Sequence, residues 1–106
     1  MLHLEEGDNE REIELSVGEE FEIHLLENPT TGFQWLLISN GEPACTLQSN
    51  FFETASGPPG RGGSHYWRFQ AVQVGIGHID LVYKQPWVQE KTPARRVTLH
   101  ARIHAS

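Results

Sequence analysis

The chain is poor in cysteine, in basic residues and in long apolar runs, and each shortage excludes a class of protein. Its single cysteine, Cys45, allows neither an internal disulfide nor a metal site built from several cysteines. No apolar run approaches the roughly 20 residues that a membrane helix needs. The formal net charge of -6 is the opposite of the basic footprint of nucleic-acid-binding proteins. We therefore expect neither nucleic acid nor a membrane as a partner.

The length and the start of the chain limit its organisation. Two separate cores would each be too small in 106 residues, so we predict a single domain over residues 1–106. We also expect a monomer. Residues 1–6 have neither the basic region nor the apolar region of a signal peptide. This predicts a cytoplasmic location by default, and a periplasmic or secreted one if a signal peptide has been removed.

Apolar and polar residues alternate with a period of two along most of the chain, which is typical of half-buried β-strands. Together with one continuous apolar run, these segments predict seven strands, lettered A to G, over residues 13–17, 21–25, 33–38, 46–52, 65–71, 79–83 and 97–103. A further strand near Leu2 would make eight. The pattern predicts an all-β fold, an immunoglobulin-like β-sandwich of seven or eight strands.

Two further patterns predict how this sandwich is packed and charged. We expect Trp35 and Trp67 in its core, and the apolar run from Trp35 to Ile38 predicts a strand covered at least partly on both faces. Most acidic residues precede Asn28, whereas nearly all lysines and arginines lie from Arg61 onward. The two halves should therefore attract each other across the sheets, in a manner that salt screens.

Three connections have unusual compositions, and in a sandwich of this topology they emerge at the same end. They are the B–C loop, Glu27 to Gly32; the D–E loop, Glu53 to Gly63; and the F–G loop, Lys84 to Pro93.

The B–C loop should be rigid and pre-shaped, because Pro29 restricts the backbone of Asn28 and fixes its own φ, while Gly32 permits a positive φ. The D–E loop carries a glycine-rich run that leads into a strand rather than a helix, which argues against a phosphate-binding loop. That run fits either a flexible linker or a loop that a partner's backbone can approach closely. In the F–G loop, Trp87 lies outside the strand pattern, as an interface anchor or as a ring folded back on the sandwich edge.

Together these segments resemble the chagasin family of cysteine protease inhibitors. The family pattern is an Asn-Pro-Thr-Thr-Gly-Phe loop, a Gly-x-Gly-Gly loop and an Arg-Pro-Trp loop. The corresponding residues follow here in the same order and with matching spacing: Asn28, Pro29, Thr30, Thr31, Gly32 and Phe33; Gly60, Arg61, Gly62 and Gly63; Gln85, Pro86 and Trp87. Gln85 replaces the family's arginine, so a charge-assisted contact at that position does not carry over.

The resemblance implies reversible, tight inhibition of papain-like, cathepsin L-type cysteine proteases, with no catalytic residue, cofactor or metal in the inhibitor itself. The residues of these three motifs would fill the active-site cleft of the enzyme. Thr30 and Thr31 would lie closest to the catalytic cysteine, the glycine-rich run beside the non-primed side, and Trp87 against aromatic surface on the primed side.

The residues alone leave three other functions open. A catalytic Cys–His pair is disfavoured because Cys45 lies in a connection opposite the three loops, and a lone cysteine is usually a small buried apolar residue. A metal site is disfavoured because His100 and His104, about 13 Å apart along one strand, cannot share an ion, although cross-strand pairs could. A non-inhibitory immunoglobulin-like binding or adhesion module would share the fold and lack affinity for proteases.

Overall fold

The computed structural model describes residues 1–54, 62–87, 93 and 95–106, which form eight β-strands and two single 3-10 turns. Within this part of the chain, no helix is long and apolar enough to cross a membrane. The strands are β1 (Leu2–Leu4), β2 (Glu12–Ser16), β3 (Glu20–Glu27), β4 (Gln34–Asn40), β5 (Cys45–Thr54), β6 (Gly63–Ala71), β7 (Gly75–Lys84) and β8 (Arg95–His104), and the turns are Glu6–Asp8 and Pro29–Thr31.

The strands form two four-stranded sheets, in the orders β1-β3-β6-β5 and β2-β8-β7-β4. Strands β2 to β8 are the predicted strands A to G, and β1 is the additional strand near Leu2. The predicted all-β, immunoglobulin-like sandwich is therefore confirmed. Pairing is antiparallel except at two edges, where β1 runs parallel to β3 and β2 runs parallel to β8.

Alternating residues of both sheets meet between the sheets and form the core. Phe21 and Phe69 stack there with ring centroids 5.2 Å apart, and the side chains of Ile23, Ile79 and Leu99 are completely buried. Trp35 and Trp67 are only 4% and 3% exposed to solvent, which confirms their predicted place in the core.

The strand at residues 35–38 is partly covered on both faces, as expected, whereas the expectation about charge is corrected. Of residues 35–38 only Trp35 is fully buried; Leu36 and Leu37 are half-buried, and Ile38, the extra residue of a β-bulge in edge strand β4, is 60% exposed. The acidic and basic halves do attract each other, but within the sheets rather than across them. Examples are Arg68 with Glu22 at 3.2 Å on β6 and β3, and Arg102 with Glu12 at 2.9 Å on β8 and β2.

The strand pairing fixes where the B–C loop lies. The last residue of β3, Glu27, pairs with Gly63 at the start of β6, and the first residue of β4, Gln34, pairs with Lys84 at the end of β7. The B–C loop therefore passes from one sheet to the other, between the end of the D–E loop and the beginning of the F–G loop.

Candidate functional site

The B–C loop is folded around Asn28. The Thr31 N–H and hydroxyl both donate to the Asn28 carbonyl, at 3.2 and 2.7 Å. The Thr30 N–H and hydroxyl donate to the Asn28 side-chain oxygen, at 3.2 and 2.6 Å. An asparagine that bonds to the backbone two residues on favours a tight turn, here the 3-10 turn Pro29–Thr31. The loop is thus shaped by its own hydrogen bonds, while Thr30 and Thr31 remain exposed.

The F–G loop packs against the B–C loop at Gly32. This glycine has the predicted positive φ, 81°, and a β-carbon there would overlap Cη2 of the Trp87 ring and lie 2.9 Å from Cζ2. Gln85 Nε2 donates to the Thr31 carbonyl at 3.2 Å. Trp87 nevertheless keeps 69% of its surface exposed, and Pro86 beside it is also exposed. We call the residues Asn28–Phe33 and Gln85–Trp87 together the loop ridge.

Gly62 and Gly63 lie on the other side of the B–C loop, where β6 begins. Gly62 has a φ of 78°, and a β-carbon there would lie 2.8 Å from the Glu27 carbonyl oxygen and 3.0 Å from Asn28 Cα. A β-carbon on Gly63 would overlap the Glu53 carbonyl oxygen. Both glycines are therefore required by the close approach of the chain's own backbone, a role that the sequence analysis missed. The other two residues of this motif, Gly60 and Arg61, fall outside the described residues.

The buried carboxylate of Glu27 holds together the strand ends from which the B–C loop of the ridge emerges. The Trp35 N–H donates to Glu27 Oε2 at 2.6 Å, and His65 Nδ1 donates to Glu27 Oε1 at 3.1 Å. The Trp35 indole N–H donates to the Leu26 carbonyl at 2.9 Å, and the His65 ring stacks on Trp67 at 4.0 Å. Glu27 is only 7% exposed, so these partners fix both ends of the B–C loop in a region largely shielded from water.

An aromatic cluster on the other sheet completes this support. The Asn28 N–H donates to the Tyr83 hydroxyl oxygen at 3.2 Å, and the Phe33 ring stacks on Tyr83 with centroids 5.4 Å apart. The Arg95 guanidinium lies 5.6 Å from the centroid of the same ring. The motif residue Phe33 is thus half-buried against Tyr83, and Tyr83 ties the B–C loop to β7.

Sequence reasoning missed Glu27, His65 and Tyr83 as supporting residues, although one signal pointed to Glu27. In strand β3, Phe21, Ile23 and Leu25 face the core, and Glu27 continues the same inward-facing series. A carboxylate at such a position needs a buried hydrogen-bond partner, and its partners come from residues that are distant in sequence or only just beyond the loop.

Cys45 does not have the environment of a catalytic nucleophile, and it lies away from the loop ridge. Cys45 is the first residue of β5, not part of a connection, and it pairs with Ala71 at the end of the sandwich opposite the loop ridge. Its side chain is completely buried, and burial raises the pKa of the Cys45 thiol to about 11, so the nucleophilic thiolate is disfavoured. Across the described ranges, no group of three or more His, Cys, Asp or Glu side chains is arranged to hold a metal ion.

Comparison with known proteins places this geometry in context. Residues 14–101 match the family described as Chagasin family peptidase inhibitor I42. Amoebiasin-1 of Entamoeba histolytica is 36% identical over 86 residues, which cover 81% of this chain and 84% of the relative. Chagasin of Trypanosoma cruzi is 30% identical over 95 residues, covering 85% and 86%. The crystal structure of a cysteine protease inhibitor from Entamoeba histolytica has a TM-score of 0.85 and 22% identity, over 97% of this chain and 94% of that one.

Proposed function

Because the chain belongs to the chagasin family of cysteine protease inhibitors, we propose that it reversibly blocks papain-like, cathepsin L-type enzymes with its B–C, D–E and F–G loops. Members of this family inhibit peptidases and are not themselves enzymes. The observation that carries the proposal is the loop ridge, in which two loops from different parts of the sequence pack together at Gly32 and leave Trp87 exposed.

The loop ridge suits a cleft between two walls. Thr30 and Thr31 are exposed at the B–C turn and, in this proposal, lie closest to the catalytic cysteine of the enzyme. Trp87 packs on aromatic surface on the primed side, and the glycine-rich run lies beside the non-primed side. Hydrogen bonds within the B–C loop and the Gln85–Thr31 bond hold the ridge in one shape before binding. Less conformational entropy is then lost when the complex forms.

The shape of the B–C loop also favours blocking over cleavage. Cleavage requires the scissile carbonyl to be held at near-attack distance from the enzyme's thiolate, in line for reaction. In Pro29–Thr31 the backbone is wound into a 3-10 turn, and the Asn28 carbonyl already accepts two hydrogen bonds. Opening this turn would break these bonds. We therefore propose an inhibitor that the enzyme does not cleave.

Papain inhibition tests the proposal directly. We expect competitive inhibition at micromolar or lower concentrations of the purified chain, unchanged by a chelator, and an intact inhibitor by mass spectrometry after prolonged incubation. Papain activity that is unaffected at micromolar inhibitor would refute the proposal, and would leave a binding module of the same fold as the better interpretation. Progressive cleavage within residues 28–33 would refute the blocking mechanism alone.

A further inference from the structure

Two histidines meet on the outer face of the second sheet, away from the loop ridge. His78 on β7 lies directly opposite His100 on β8, with ring centroids 4.9 Å apart and an angle of 61° between the ring planes. Both side chains point away from the core, because Ile79 and Leu99 beside them point into it. His78 lies six residues before the end of β7 at Lys84, so roughly 20 Å of strand separates the pair from the end of β7 that leads into the loop ridge.

The spacing of this pair suits a shared metal ion. Two imidazoles on one tetrahedral zinc ion place their ring centroids roughly 4.5–5.3 Å apart, because each nitrogen lies about 2.0–2.1 Å from the metal and the ligands subtend roughly 90–110°. The observed 4.9 Å lies inside this range. The backbones of β7 and β8 are already paired at this position, so only rotation of the two rings is needed to direct one nitrogen of each towards the ion.

The surrounding charges leave the two imidazoles as the protein ligands. Towards the loop ridge, Asp80 accepts two hydrogen bonds from Arg96, each at 3.0 Å, and a third from the Thr98 hydroxyl at 3.1 Å. On β2, Glu12 lies opposite His100 of β8, and its carboxylate is paired with Arg102 at 2.9 Å. These two carboxylates are thus already paired with guanidinium groups, so a cation between the histidines meets little net charge from the two pairs.

The backbone at the pair is also held in place from both sides. The Ser39 hydroxyl on β4 donates to the His78 carbonyl at 2.9 Å, which fixes β7 against the edge strand. On the other side, β8 is flanked by β2, with Glu12 opposite His100. A ligand pair on two central strands loses little freedom when it binds an ion, which favours binding over the same two side chains on a loop.

From this geometry we propose that His78 and His100 form a two-imidazole site for a divalent transition metal ion of the zinc type, with water completing the coordination. Neutral imidazole is the commonest metal ligand in proteins and suits zinc, copper and nickel. The bound ion joins β7 to β8, so it stabilises the folded chain without contacting the loop ridge. This inference is independent of the proposed inhibitory function.

Zinc binding to the full chain, measured by isothermal titration calorimetry and by thermal denaturation at slightly alkaline pH, tests the site. We expect one Zn²⁺ per chain and a rise in the melting temperature that a chelator reverses. His78→Asn and His100→Asn should each weaken Zn²⁺ binding by at least about tenfold, since even outer-shell partners of a metal contribute 10–100-fold.

The matched control is His104→Asn, which removes an exposed histidine from the same face of the same strand, four residues from His100. This variant should bind Zn²⁺ as the parent chain does. Equal Zn²⁺ responses in the parent and in both single variants would overturn the site, as would no binding at millimolar Zn²⁺. Melting curves without zinc verify that each variant is folded. Papain inhibition, assayed with a chelator, should be unchanged in all three variants, so failure of the metal site and failure of the inhibitory function can be distinguished.

Discussion

Trp87 combines two properties that are usually separate in a single side chain. Its ring covers Gly32, and yet 69% of its surface faces solvent. The first contact fixes its orientation, and the second leaves a large apolar surface for a partner, as in the aromatic anchors that dominate many interfaces.

The first prediction is that Trp87→Ala weakens papain inhibition by about 2 kcal/mol, or about 30-fold, as expected for an aromatic hot spot. The melting temperature should barely change, because the ring lies outside the core. Inhibition constants and melting curves measure the two effects. Ile76→Ala is the control, since Ile76 is 66% exposed on β7 outside the loop ridge. If Trp87→Ala lowers the melting temperature and spares inhibition, the tryptophan is structural.

Substitutions at Gly32 and Thr30 separate two possible sources of inhibition, namely the shape of the loop ridge and the contacts that its side chains make. A β-carbon on Gly32 meets both an unfavourable positive φ and the Trp87 ring, so Gly32→Ala must displace one loop from the other. Thr30→Ala removes the 2.6 Å hydroxyl bond to Asn28 but keeps the 3.2 Å backbone bond to the same oxygen. Its effect should be on the order of 1 kcal/mol.

The second prediction is therefore an order: Gly32→Ala raises the inhibition constant for papain more than Thr30→Ala does. Gly18→Ala serves as the control for backbone strain, because Gly18 also has a positive φ, 98°, but an added β-carbon there would meet nothing within 4 Å. It should reduce stability and leave inhibition unchanged. If Thr30→Ala is the more damaging variant, side-chain contacts with the enzyme matter more than the shape of the ridge.

Among the elements, the ends of β3, β4 and β6 depend on one buried carboxylate. Glu27 accepts hydrogen bonds from Trp35 at the start of β4 and from His65 on β6. The B–C loop leaves from Glu27 itself, so a shift at this residue moves the loop ridge as well.

The third prediction is that Glu27→Ala reduces the free energy of unfolding by about 2–3 kcal/mol, because the buried Trp35 N–H and the half-buried His65 imidazole lose their acceptor. Urea denaturation measures this loss, and inhibition of papain should weaken at the same time. Glu53→Ala, which removes an exposed carboxylate from neighbouring β5, should change stability by less than about 0.5 kcal/mol. A Glu27→Ala variant as stable as the Glu53→Ala variant would contradict the supporting role.

Among the elements, the positions of the strands could be predicted from the sequence more fully than the pairing between strands. A period of two shows which residues face inward, and together with the apolar run from Trp35 to Ile38 it located all seven predicted strands. It contains no information on parallel pairing at the edges, because β2 finds its partner β8 at the other end of the chain. The same limit applies to Gly62 and Gly63. Their motif was recognisable, but the backbone that approaches them belongs to the B–C loop and to β5.

At the scale of the whole molecule, acidic residues from the first part of the sequence form exposed ion pairs along the sheets with arginines from the last part. Arg95 with Glu6 at 3.0 Å joins the last strand to the first 3-10 turn, and Arg102 with Glu12 joins β8 to β2. Exposed pairs of this kind contribute 0–1 kcal/mol each, roughly, and are weakened by salt. They assist the pairing of distant strands, while the core supplies most of the stability.

At the scale of the whole molecule, the edge strands of both sheets have features that hinder pairing with a second chain. Two edge strands are short: β1 has 3 residues, and β2 has 5 and carries Glu12 and Glu14. The two longer edge strands, β4 and β5, each contain a bulge, between Leu37 and Ser39 and between Leu47 and Ser49. Short, charged or bulged edges resist pairing with a second chain. This arrangement supports the expectation of a monomer.

The last prediction tests this protection by removing one bulge. Gln48 is the extra residue on β5, because Leu47 and Ser49 pair with the consecutive residues Phe69 and Arg68. Deleting Gln48 should restore a regular, straighter edge that pairs with another copy, so the variant should self-associate with increasing concentration while the parent chain stays monomeric. Sedimentation velocity measures both. Gln48→Ala loses the same side chain, including its 3.2 Å bond to Gln70, but keeps the bulge, and should remain monomeric. If the deletion variant is folded and still monomeric at high concentration, the bulge does not prevent association, and the protection of this edge must come from the charges and twist around it.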